Sequence, residues 1–90
     1  MKIEYAKIAY KFINEQNSKT KKRIREAVYG LTEKPPRGDI KTLQGYSDGR
    51  KRLRKGEFRI IFKFLLDKSE KEPNEILYIM DIGVRGNIYK

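Results

Sequence analysis

Alternating apolar residues over positions 58–67 place the strongest constraint on the fold of this chain. Successive side chains of a strand point to opposite sides, so the even-numbered positions of this segment share one face. That face carries four large apolar side chains: Phe58, Ile60, Phe62 and Phe64. The other face begins with Arg59 and also carries Lys63. The segment therefore predicts a strand with one face in the core and a partly cationic face turned away from it.

Turn residues and apolar spacing place the remaining elements around this strand. Gly56-Glu57 predicts a tight turn from a preceding strand in which Leu53 points inward, and Pro35-Pro36 ends a helical region, with a loop to Gly49. Ser18 is a candidate N-cap between the helices. We expect strands at 2–5, 50–55, 58–67 and 75–83, and helices at 6–16 and 19–33.

These elements predict one α+β domain over residues 1–90. The two helices are short, amphipathic and closely joined, so they should form a helical hairpin. A strand, two helices and three further strands favour a small antiparallel meander with an N-terminal strand. In that arrangement the hairpin covers one face of the sheet, and the other face stays open and rich in cations.

Composition limits the chemistry available to the chain. Its 90 residues include no cysteine and no histidine, which excludes a disulfide or thiolate nucleophile and disfavours a transition-metal site. We expect no metal and no small-molecule cofactor. The chain has no apolar signal segment and no run as long as a membrane span, so we expect a cytoplasmic protein without membrane contact.

Positive charge is concentrated in the first two thirds of the sequence. The formal net charge is +10, and six cations fall within positions 50–59. Such crowding is most simply explained by a polyanionic partner, with RNA the leading candidate and an acidic protein the next. Two plainer explanations stay open: a merely soluble basic surface, or an edge strand that carries cations against aggregation.

Three segments together resemble the RelE/ParE superfamily of bacterial toxins, the toxin halves of type II toxin–antitoxin pairs. They are 43–45 (LQG), 52–62 (RLRKGEFRIIF) and 82–85 (IGVR), and Tyr89 follows near the end. The predicted helical hairpin and meander agree with this resemblance over essentially the whole chain. It implies a RelE-like fold, a cognate antitoxin as partner and, in the RelE-like branch, cleavage of mRNA, often on the ribosome.

The resemblance also implies a set of site residues. Carried over by motif, the catalytic positions are Arg50, Arg52, Arg59, Arg85 and Tyr89. Further RNA contacts are expected from Lys51, Arg54 and Lys55. The first two catalytic positions are often lysine in the ribosome-dependent ribonucleases, whereas this chain has Arg50 and Arg52 there.

That departure leaves no obvious residue to act as the general base. Cleavage by the RNA's own 2′-hydroxyl needs a base, an acid and stabilisation of the phosphate charge, and arginine rarely gives up its proton. Lys51 or Lys55 is one candidate base and Tyr89 is another. The third possibility is a slow enzyme without a strong base.

Two rival functions and two plainer residue roles remain at this point. A ParE-like DNA gyrase poison does not need cations at 50, 52, 59 and 85 together. A basic RNA-binding relative that has lost cleavage agrees with the arginine replacements. Arg59 has a purely structural alternative, an ion pair with Glu57 or Asp81, and Tyr89 has one as a cap on the core.

Overall fold

Five strands and two helices make up the described part of the chain, residues 1–69 and 71–84 of a computed structural model. The elements are β1 (Lys2–Tyr5), α1 (Lys7–Asn14), α2 (Ser18–Gly30), β2 (Asp39–Thr42), β3 (Lys51–Lys55), β4 (Phe58–Asp67) and β5 (Asn74–Val84). Neither of these helices is long and apolar enough to cross a membrane. Arg85 and Tyr89, which were predicted as site residues, lie outside the described residues.

The strands form one mostly antiparallel sheet in the order β1-β5-β4-β3-β2. Strands β2 to β5 pair antiparallel with their neighbours, whereas β1 runs parallel to β5, with Ile3 opposite Leu77. The N-terminal strand and the last strand are thus neighbours in space. This arrangement confirms the predicted α+β class.

The core fills the space between the sheet and the helices. Buried residues of both helices pack with the inward side chains of β3, β4 and β5: Ala9, Ile13, Ile24, Val28, Leu31, Leu53, Phe58, Ile60, Phe62, Leu77, Ile79 and Ile82. As predicted, Phe58, Ile60 and Phe62 of β4 face this core, and Phe64 packs against it. Because strand side chains alternate, Arg59 of β4 and Arg52 and Arg54 of β3 point to the face that the helices leave uncovered.

Strand β2 corrects the prediction of a loop from Pro36 to Gly49. It pairs along β3, with Ile40 opposite Leu53 and Lys41 opposite Arg52. Ile40 is the only apolar residue of the strand, so no alternation could be read from the sequence. Backbone pairing with β3 rather than hydrophobic patterning defines this strand.

The helices are also shorter than predicted. Asn17, and not Ser18, caps α2, because its side-chain oxygen accepts a hydrogen bond from the backbone N–H of Thr20 at 2.8 Å. The helix ends at Gly30 rather than at Glu33. There the carbonyl of Gly30 accepts hydrogen bonds from the N–H groups of Glu33 and Arg37, which turn the chain away from the helix axis.

Gly38 lies where a side chain would collide with the core. Its φ is +129°, and a Cβ there would come within 2.5 Å of Cδ1 of the buried Leu53. We expect Gly38→Ala to lower the free energy of unfolding by about 1–3 kcal/mol, measured by urea denaturation. Gly49→Ala is the matched control, since Gly49 also has positive φ but nothing lies within 4 Å. An equal loss in the two variants would contradict the proposed clash.

Candidate functional site

Three arginines share the uncovered face of the sheet, and we call them the arginine face: Arg52 and Arg54 of β3 and Arg59 of β4. Arg54 and Arg59 are direct cross-strand partners, so their Cβ atoms stand about 5 Å apart. Arg52 lies two residues along the same strand face. The structure thus brings together three of the predicted site residues.

Arg52 is the most unusual member of the arginine face because it is buried, with 6% of its surface exposed. Its Nη1 lies 3.7 Å from Oδ2 of Asp39 on the neighbouring strand. Within the described residues this nitrogen has no hydrogen-bond acceptor. Burial of a guanidinium group is costly unless its charge and its N–H groups are satisfied. A bound anion would satisfy both.

A concavity of about 370 Å³ opens beside the arginine face. Arg52, Arg54 and Arg59 form one side of it, and β2 and the residues after it form the other, namely Lys41, Thr42, Leu43 and Gln44. The strand that sequence patterning missed therefore supplies a wall of the candidate site. Lys41 and Gln44 were not among the predicted site residues. The short β2 offered no signal for Lys41, whereas Gln44 lies in the 43–45 (LQG) segment of the family resemblance, to which no site role was assigned.

Arg50 is held by the loop that precedes β3. Its Nη2 donates to Oδ2 of Asp48 at 2.8 Å and its Nε donates to Oδ1 at 3.1 Å. The guanidinium group also lies over the ring of Tyr46, 4.1 Å from the centroid, and Lys63 donates to the same carboxylate at 3.3 Å. Arg50 thus organises the loop, in contacts that occupy much of its guanidinium group.

The contacts of Asp48 predict a pH dependence of stability. Hydrogen bonds from Arg50 above all, and also from Lys63, hold the pKa of Asp48 well below its usual range. A carboxyl whose pKa is lowered in the folded state stabilises the fold above its ordinary value of about 4, and this contribution is lost as the pH falls below that value.

We therefore expect Asp48→Asn to be less stable than the wild type at neutral pH, and this difference to shrink below about pH 4. Urea denaturation of both proteins across this pH range measures it. Glu72→Gln, at an exposed turn position, controls for the loss of one negative charge. A difference between wild type and Asp48→Asn that does not change with pH would contradict the assigned contacts.

Lys51 and Lys55 do not join the arginine face. Strand alternation places both on the side of Leu53, opposite the arginines. Lys51 is half-buried and its Nζ lies 3.4 Å from the carbonyl oxygen of Gly49, whereas Lys55 is exposed beside the β3–β4 turn. Neither lysine therefore lies next to the arginines, where it could act as a general base.

Acidic side chains do not gather into a metal site in the described residues. Over 1–69 and 71–84, no three aspartates or glutamates are close enough together to hold a metal ion. The ion pair that the described residues show for Arg52 is the contact with a single carboxylate, Asp39, given above.

Comparisons with known proteins identify a fold. No family model matches the sequence, and no curated protein matches it. Among solved structures, the chain is similar to one from the crystal structure of the RelB-RelE antitoxin–toxin complex from Methanococcus jannaschii. The similarity covers 96% of this chain and 94% of that one, with 20% sequence identity and a TM-score of 0.65. The chain therefore has a RelE-like α+β fold.

Proposed function

We propose that this protein is the toxin of a type II toxin–antitoxin pair, an endoribonuclease that cleaves mRNA without a metal ion and inhibits translation. The observation that carries the proposal is Arg52, a buried cation whose Nη1 lacks a hydrogen-bond acceptor among the described residues, beside Arg54 and Arg59. This arrangement suits a phosphate group of RNA, because planar guanidinium groups bind phosphate oxygens in pairs.

The reaction that fits this face is attack by the 2′-hydroxyl of one ribose on the adjacent phosphorus. The 2′-hydroxyl gives up its proton to the base or to water as its oxygen forms a bond to phosphorus. The bond from phosphorus to the 5′-oxygen breaks, and the leaving 5′-oxygen takes up a proton. Arg52 and Arg59 would stabilise the charge that builds on the non-bridging oxygens, the role of an oxyanion hole. Holding the phosphate between two strands would also fix the alignment of attack.

The other predicted site residues would take supporting roles. Arg54 would hold the RNA backbone, and Arg85 and Tyr89 keep the roles that the family resemblance implies, in charge stabilisation and in proton transfer or base stacking. Arg50 would act on RNA only by exchanging its contacts with Asp48. Lys51 and Lys55, on the opposite side of β3, would contact RNA only outside the arginine face. Neither is placed to act as a base there, which leaves Tyr89 or an enzyme without a strong base.

The proposed partners follow from the same resemblance and from the neighbouring structure. The RelE-like chain of Methanococcus jannaschii was crystallised in an antitoxin–toxin complex, and we propose a cognate antitoxin for this protein too. Its substrate would be mRNA on the ribosome, in the cytoplasm. The net charge of +10 favours both an acidic protein partner and a nucleic acid.

A catalytically weak RNA-binding protein is the second candidate. It is favoured by the contacts of Arg50, because a guanidinium group engaged by Asp48 is poorly placed to bind the scissile phosphate. A gyrase poison has no such support, since it does not require cations on this face.

A cell-free translation reaction tests the three candidates together. The purified chain is added, and mRNA 5′ ends are mapped by primer extension. New 5′ ends within the message support the ribonuclease. Intact mRNA with trapped gyrase–DNA breaks would instead identify a gyrase poison, and intact mRNA with salt-sensitive RNA binding would identify a binding protein.

A further inference from the structure

We infer that β2 and the two residues after it, Leu43 and Gln44, form a nucleotide subsite beside the arginine face. In this subsite, Lys41 binds the next phosphate of a single-stranded RNA and Gln44 contacts its base. This inference rests on the proposed function, because it extends the same RNA-binding face. It assigns a contact to Lys41, which lies outside the segments that carry the family resemblance, and one to Gln44, which lies in the 43–45 (LQG) segment but has no role assigned there.

The position of β2 supports a subsite next to the scissile phosphate. Lys41 lies directly opposite Arg52 in the sheet, and both residues line the concavity of about 370 Å³. Lys41 and Arg52 are thus on neighbouring strands, about 4.8 Å apart in the hydrogen-bonding direction. A strand of RNA that crosses the sheet from Arg59 to Arg52 reaches Lys41 next.

Lys41 adds a cation next to the arginine face. Among the described residues, four cationic side chains line the concavity, those of Lys41, Arg52, Arg54 and Arg59. Asp39, the carboxylate close to Arg52, keeps 63% of its side chain exposed and lies 3.7 Å from Nη1. Lys41 and Arg52 stand opposite each other on neighbouring strands, so successive phosphates of one RNA strand would meet successive cations across the sheet.

Lys41 is available for such a contact. It is exposed, and the described residues offer it no hydrogen bond or ion pair. An extended ammonium group of this kind binds phosphate as a point charge and carries no sequence information.

Gln44 brings a different chemistry to the same concavity. Its side-chain amide provides two donors and an acceptor, and among the described residues that line this concavity no other has a side-chain amide. Single-stranded RNA exposes the hydrogen-bonding edges of its bases, and side-chain amides discriminate between them. We therefore expect Lys41 to contribute to the affinity for RNA and Gln44 to determine the preference among bases.

Lys41 is tested by the salt dependence of RNA binding. The probe is a short 2′-O-methyl RNA, which lacks the 2′-hydroxyl and cannot be cleaved, bound to the full chain at about 50–200 mM salt. Fluorescence anisotropy gives the affinity. We expect Lys41→Gln to weaken binding about tenfold and to lower the slope of log affinity against log salt by about 0.7. Lys11→Gln on α1 removes the same charge outside the concavity and should leave the slope unchanged.

Gln44 is tested with homopolymers, in which every binding register presents the same base. We compare the affinities of 2′-O-methyl oligo-A, oligo-C and oligo-U. For the wild type we expect a preference of at least about fivefold between the best and worst of them. In Gln44→Met, a change of similar length without charge, we expect that ratio to fall close to one. An unchanged ratio would overturn the assignment of Gln44.

The outcomes separate this inference from the proposed function. If the wild type binds RNA and Lys41→Gln behaves like Lys11→Gln, the subsite is wrong while RNA binding at the arginine face stands. If the wild type binds none of the RNA probes, the subsite is overturned, and mRNA cleavage in the cell-free translation reaction decides the proposed function separately. Circular dichroism of each variant shows that the compared proteins are folded.

Discussion

Replacing Arg59 by alanine is expected to lower the rate of mRNA cleavage by about 10²–10³-fold, the usual cost of removing one group that stabilises transition-state charge. Arg59 stands directly across from Arg54 and beside the buried Arg52 on the uncovered face. The loss should appear in the rate and much less in the unfolding free energy, because the side chain is outside the core cluster. Single-turnover cleavage in a cell-free translation reaction measures it.

Two further variants sharpen that experiment. Arg59→Lys keeps the positive charge and loses the planar fork, so we expect an intermediate rate. Lys11→Ala removes a cation from α1, on the helical side of the sheet, and should cleave at the wild-type rate. An equal loss of rate in Lys11→Ala and Arg59→Ala would indicate a general effect of charge and contradict a catalytic arginine.

The second large effect concerns the core beneath the arginine face. Phe62 of β4 is fully buried and packs edge-on against Phe64, with ring centroids 5.7 Å apart. We expect Phe62→Ala to lower the free energy of unfolding by about 3–5 kcal/mol. Since a domain of this kind has about 5–15 kcal/mol in total, the variant should be partly unfolded at 37 °C.

Urea denaturation measures this loss, and a surface leucine provides its control. Leu66 lies on the same strand and is 57% exposed, so Leu66→Ala should change the unfolding free energy by less than about 0.5 kcal/mol. Phe62→Leu, which keeps most of the buried volume, should fall between them. Similar losses for Phe62→Ala and Leu66→Ala would contradict the burial of Phe62 in the core.

The parts of the fold that sequence predicted are those with a strong periodic pattern. The alternation of Phe58, Ile60 and Phe62 determined the inner face of β4, and strand alternation then determined that Arg52, Arg54 and Arg59 would share the outer face. The parallel pairing of β1 with β5 was not predictable in this way. It depends on where the chain rejoins the sheet after the helical hairpin, and no local sequence pattern indicates this path.

The candidate site was predictable only in part for a similar reason. The three arginines follow from strand alternation, but β2 contains one apolar residue, so Lys41 was missed. Gln44 lies in the quoted 43–45 (LQG) segment, but nothing in the sequence placed that segment beside the arginines. The contacts of the Arg50 guanidinium group depend on the path of the loop that contains Tyr46 and Asp48. An aspartate two residues before an arginine was the available signal, and it is too common to carry a prediction alone.

The chemistry of the cleaved ends tests the central proposal most directly. Attack by the 2′-hydroxyl on phosphorus must leave a 2′,3′-cyclic phosphate on one fragment and a 5′-hydroxyl on the other. mRNA recovered from a cell-free translation reaction is therefore assayed for new 5′-hydroxyl ends, with the wild type and with Arg59→Ala. We predict such ends with the wild type and their near absence with the variant. Intact mRNA with the wild type, fragments with 5′-phosphate ends, or equal fragmentation by Arg59→Ala would contradict cleavage by the arginine face.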